Sequence, residues 1–69
     1  MKVHFVVHSK IVGLITKDGQ QVYDDRNIVS DAMTLELAIV DMQSQVGALT
    51  LSRGEKLELL SFKFGHIEV

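Results

Sequence analysis

The sequence predicts a small α+β domain: an antiparallel sheet of three to four strands in β-β-α-β order, with one long helix packed across one face. Three observations carry this. Met1–His8 alternates apolar and polar side chains, as a half-buried strand does. Ser30–Ser52 is the one long segment with a helical period. Leu57–Phe64 then alternates again.

In Met1–His8, Val3, Phe5 and Val7 fall to one side and Lys2, His4, Val6 and His8 to the other. Ser9-Lys10 reads as a bend or a bulge, because Ile11, Val12, Leu14 and Ile15 resume out of phase. Lys17-Asp18-Gly19-Gln20 is a turn, and Asp-Gly at its centre tolerates the positive φ angles of a type I′ hairpin. Gln21–Asp24 returns antiparallel with Val22 and Tyr23 as its bulky members. Asp24-Asp25-Arg26-Asn27 reads as a polar loop leading to the helix.

Within the helical segment Ile28, Ala32, Leu35, Ile39, Met42, Val46 and Leu49 lie on one stripe, spaced alternately by four and three. Ser30 can cap the first turn, and Asp31 places negative charge at the positive end of the helix dipole. The helix stops either at Gly47 or near Arg53-Gly54, and continuation of the stripe through Leu49 favours the later stop. A competing reading makes Ala48–Ser52 a short strand paired across Arg53-Gly54-Glu55-Lys56. In the last strand Leu60, Phe62 and Phe64 share a face, with Leu57, Leu59, Ser61 and Lys63 opposite. Gly65-His66 disturbs the phase before Ile67 and Val69. This strand lies either at an edge or between the first two.

Length and composition then pull against each other. A chain of 69 residues is one domain. A domain this small buries only about 60% of the surface its unfolded chain exposes. It has no cysteine, so neither disulfides nor thiolate metal sites can staple it. Yet 46% of its residues are hydrophobic. One helix on one sheet leaves the other sheet face wet, so the apolar surplus needs a second copy or another protein to cover it. A second apolar line, Val29, Met33, Leu37 and Val40, points the same way. Gly47 continues that line, where it would let another backbone approach. These five residues are the expected partner interface.

The candidate sites each have a plainer explanation. His4 and His8 share a strand face, and His66 comes near if the last strand pairs with the first. Three imidazoles can make a metal site. However, positions i and i+4 on a strand are about 13 Å apart, too far to chelate one ion. Polar residues on a wet sheet face are the simpler account. Asp24, Asp25 and Asp31 lack the alternating acids and glycine of a calcium loop, and the helix dipole suffices to explain acids at that place. No serine sits in a nucleophile elbow and no glycine-rich phosphate loop exists. The sequence therefore predicts no enzyme, no cofactor and no resident metal.

Net charge is −2, from nine acids and seven bases, with no basic patch to neutralise phosphates. The N-terminus lacks the form of a signal peptide, and no segment is long enough to span a bilayer, so a cytoplasmic location is expected. The expectation is a non-catalytic interaction or regulatory protein of the inhibitor or accessory type, such as phage and mobile elements encode. It would act as a homodimer on a larger protein. The alternatives are a nucleic-acid-associated regulator such as an antitoxin-like module, and a small metal-binding protein or enzyme. The first alternative needs Lys2, Lys10, Arg26, Lys56 and Lys63 gathered on one side; the second would use the histidines and aspartates.

Overall fold

The computed structural model describes residues 1–69 and contains β1 (Lys2–Ile15), β2 (Gln21–Ser30), α1 (Leu35–Ala48) and β3 (Leu57–Glu68). The three strands form one antiparallel sheet in the order β2-β1-β3, with β1 in the middle and both neighbours at edges. The predicted class and element order are those observed.

β1 supplies the floor of the core. Val3, Phe5, Val7, Ser9 and Ile11 alternate onto one face, and all are buried. Against them pack Ile28 of β2, Leu57 of β3, and Ala38, Met42 and Val46 of α1, spaced by four along one helix face. Ser9 continues the phase of Val3–Val7, contrary to the expected bend at Ser9-Lys10. The register with β3 does shift between His8 and Ser9, but through an extra residue in β3. The register with β2 shifts later, between Lys10 and Ile15, where Gly13 has φ +83°.

β2 is longer than its sequence suggests. Asp24-Asp25-Arg26-Asn27 is strand rather than loop: it pairs along β1, and each charge finds a partner, Asp25 across the strand and Asp24 and Arg26 in each other. Asp24 and Arg26 lie on the helix-side face and bind each other at 2.7 and 3.1 Å. Asp25 lies on the opposite face and binds His8 at 2.6 Å. The guanidinium of Arg26 is held above its usual range, first by the hydrogen bond to Asp24; partial burial opposes this, and the Asp24 charge adds to it.

Extending β2 to Ser30 moves the start of the helix. Thr34, not Ser30, is the N-cap, its hydroxyl accepting from Leu37 N at 3.1 Å. Ser30 instead is a buried strand residue that donates to Asp41 at 2.6 Å. Gln45 adds a bond to Asp41 at 3.1 Å and one to the carbonyl of Val29 at 3.0 Å, tying the helix to the β2 edge. α1 ends at Ala48 with Leu49 as C-cap. The helix thus stops close to Gly47 and not near Arg53-Gly54, and of the alternative strand Ala48–Ser52 only a single bridge from Thr50 to Lys56 is present.

The two tight turns are built alike. Gly19 N donates to Thr16 O while Thr16 N donates to Gln20 O. Gly54 N donates to Leu51 O while Leu51 N donates to Glu55 O. The glycines have φ +82° and +87°, and no other residue of either turn has positive φ. This is the three-residue loop closed by a left-handed glycine, not the two-residue type I′ turn, which needs positive φ at both centres.

β3 carries two bulges against β1, between the partners of His4/Phe5 and of His8/Ser9. The second moves the phase at Leu60, so Leu57 and Leu59 join Phe62 and Phe64 on the helix side, correcting the expected division of faces. Phe5 then meets Phe62 edge-on, with ring centres 5.7 Å apart, and Phe64 at 5.3 Å.

Met42 is fully buried and Val40 is 60% exposed. Replacing Met42 by alanine should lower the unfolding free energy by about 2–5 kcal/mol. Val40→Ala should change it by no more than about 0.5 kcal/mol. Urea denaturation followed by circular dichroism measures both.

Candidate functional site

The sheet face away from the helix gathers all three histidines and several of the charged side chains. Pairing places His4 opposite both Val29 and His66, Val6 opposite Asn27 and Lys63, and His8 opposite Asp25 and Ser61. Lys2 faces Glu68, and Lys10 faces Glu58. A shallow groove of about 310 Å³ runs along this face beside Val6, His8, Asp25 and Lys63.

The first cluster lies where the start of β1 meets the end of β3. The imidazoles of His4 and His66 stack with ring centres 3.9 Å apart and planes 13° from parallel. Glu68 Oε1 lies 3.3 Å from His66 Nε2 and 3.3 Å from His4 Nε2. The contact to His66 is a hydrogen bond. His4 Nε2 is buried and has no hydrogen-bond partner, because its contact to the carboxylate lies off the bonding direction. The hydrogen bond from His66 holds the Glu68 carboxyl below the usual carboxylate range; its desolvation works the other way, and the charges of His4 and His66 add to the lowering.

A bulge makes this cluster. In β3 Phe62 and Phe64 point to the helix side, and regular alternation would send His66 and Glu68 there too. Gly65 is the extra residue of the bulge, so His66 and Glu68 emerge on the open face beside His4. A side chain at Gly65 would place its Cβ 3.3 Å from the His4 carbonyl oxygen, a close approach that suits glycine.

The second cluster is His8 with Asp25, Tyr23 and Ser61. His8 Nδ1 is 2.6 Å from Asp25 Oδ1, and its ring stacks on Tyr23 with centres 5.1 Å apart. Ser61 is the cross-strand neighbour of His8, which puts serine, histidine and aspartate on three adjacent strands. Nucleophilic catalysis would require Ser61 to hydrogen-bond His8, and the structure records no such bond. His4 and His8 do not share a cluster, as their strand spacing predicts.

The other sequence candidates scatter. Asp24 and Asp25 take opposite faces, and Asp31 lies 3.9 Å from the N-terminal amine. Lys2, Lys10 and Lys63 share the open face, interleaved with Glu58 and Glu68, while Arg26 is held by Asp24 on the other side. Lys56 donates to Thr50 at 3.1 Å. The expected interface residues divide as well. Val29 is in β2 on the open face and Met33 is in the loop before α1, so neither extends a helical line. Leu37 and Val40 are exposed on α1 at 54% and 60%, and Met33 at 89%. Gly47 is a surface helix residue with open space around it. No helix is long and apolar enough to cross a membrane. Searches of protein-family models, of curated proteins and of solved structures find no match to this chain.

Deleting Gly65 removes the bulge and returns His66 and Glu68 to the helix side. Nuclear Overhauser contacts between the His4 and His66 rings should be present in the native chain and absent from the deletion variant.

Proposed function

We propose that this chain is a non-catalytic interaction protein that works as a homodimer and presents its helix to a larger protein. One observation carries the reading: the helix is too short for the sheet. β1, with 14 residues, spans about 46 Å, in keeping with a molecule 45 Å long. α1 also has 14 residues but spans only about 21 Å. Nine hydrophobic side chains are buried, while thirteen large ones are exposed. Among the exposed groups, Met33, Leu37 and Val40 lie along the helix side of the molecule and Phe64 and Ile67 on the outer strand, and grouped apolar surface of this kind supports association.

β3 is the favoured edge for self-association. It is an outer strand of 12 residues without proline, and its edge is open for backbone pairing. Phe64 and Ile67 lie on its helix side, yet they are 46% and 42% exposed because α1 does not cover them. Two copies joined antiparallel along β3 would form a continuous six-stranded sheet about a two-fold axis, each copy covering the other's Phe64 and Ile67. Bulges flank Ser61–Phe64, so that straight stretch would carry the pairing. Met33, Leu37 and Val40 then remain for the larger partner, with polar neighbours Glu36 and Ser44 on the same outer side of the helix.

Sedimentation velocity at micromolar concentration should give the mass of two chains. The double variant Phe64→Lys/Ile67→Lys should sediment as one chain with an unchanged circular dichroism spectrum. A native chain that stays monomeric at the highest attainable concentration would refute the reading. Leu37→Glu with Val40→Glu should leave both fold and dimer intact, since neither side chain is buried.

A further inference from the structure

We propose that His4, His66 and Glu68 form a transition-metal site of zinc type, with solvent as the fourth ligand. The site lies within one chain, so it stands or falls separately from the dimer.

The donor atoms are already gathered. One nitrogen from each histidine and one carboxylate oxygen lie within 4.8 Å of one another. Both nitrogen–oxygen separations are 3.3 Å. Two ligands about 2.0–2.1 Å from a tetrahedral ion are themselves about 3.3 Å apart, so the Glu68 oxygen already stands at ligand distance from both nitrogens. The stacked rings cannot both aim a lone pair at one ion, so coordination requires the His66 ring to turn out of the stack toward His4 Nε2 and Glu68. His66 has the freedom to do this, being 61% exposed.

The buried nitrogen gives a second, independent reason. His4 Nε2 is shielded from water and has no hydrogen-bond partner, and a polar atom left this way is costly. An ion would satisfy it. The backbone gives a third. His4 is fixed in the central strand, and the Gly65 bulge is what turns His66 and Glu68 toward it. Without that one extra residue the three groups would lie on opposite faces of the sheet.

The donor chemistry selects the ion. Two imidazoles and one carboxylate suit zinc and its neighbours in the first transition row, whereas calcium and magnesium favour oxygen ligands. A set of two histidines and one glutamate with a free fourth position is also the ligand count of open zinc sites, as opposed to closed four-ligand ones. The position of the site suits a staple. An ion there would tie the first residues of β1 to the last residues of β3, reinforcing the sheet of a small chain that has no disulfide.

Isothermal titration of the chelator-treated full chain with zinc chloride at neutral pH tests this. One zinc per chain is expected, together with a zinc-dependent rise in the thermal midpoint. His66→Gln and Glu68→Gln should each weaken zinc binding about tenfold or more, since loss of a ligand costs at least as much as loss of an outer-shell partner. Both positions are solvent-exposed, so these variants should fold, and circular dichroism checks that they do. His8→Gln should bind zinc as the native chain does. Absence of binding would overturn the proposal. So would undiminished binding by the folded His66 and Glu68 variants, or an equal loss in His8→Gln.

Discussion

The mismatch between a short helix and a long sheet governs this molecule. Both β1 and α1 contain 14 residues, but an extended residue advances about twice as far as a helical one. The core is therefore complete where Ala38, Met42 and Val46 sit over Val3, Phe5, Val7 and Ile28, and it thins beyond them. Ile15, near the tip of the first hairpin, is left 62% exposed, while Phe64 and Ile67, paired with buried Phe5 and Val3, are left 46% and 42% exposed beside the core on the outer strand. A longer helix was a consistent reading of the sequence. The turn at Leu51–Gly54 prevents it by reversing the chain one turn after Ala48.

Phase is the second organising quantity. β1 holds one alternation from Val3 to Ile11 and so defines two faces, one buried and one wet. β3 matches it only by inserting two extra residues, one near Leu60 and one at Gly65. The first insertion puts Leu57 and Leu59 into the core. The second takes His66 and Glu68 out of it. The same device thus serves packing at one end of the strand and chemistry at the other.

Much of the fold was legible because the strongest signals were local. Alternation in Met1–His8, the glycine of the first turn, and the helical period through Met42 and Val46 each need only a few neighbouring residues, although Ala38 takes the buried place on that face and Leu35, on the expected stripe, is 42% exposed. The errors came where pairing overrode local character. Asp24-Asp25-Arg26-Asn27 has loop composition, yet cross-strand and same-face partners for its charges make it strand. Once Ile28 and Ser30 belong to that strand, the helical stripe loses its first members and Thr34 becomes the cap. The expected interface line lost Val29 and Met33 for the same reason. The histidine–glutamate cluster was only half legible. Proximity of His66 to His4 was conditional on strand order, and the face it emerges on depends on Gly65. A glycine inside an otherwise strand-like run was the available signal.

The proposed function rests on one copy of the chain leaving a sheet edge that a second copy would fill in solution. Amide hydrogen exchange along β3 tests that most directly. The outward-facing amides of Ser61–Phe64 should be protected in concentrated solution and lose protection on dilution, while those bonded to β1 stay protected throughout. Rapid exchange of the outward-facing amides at every concentration would contradict it.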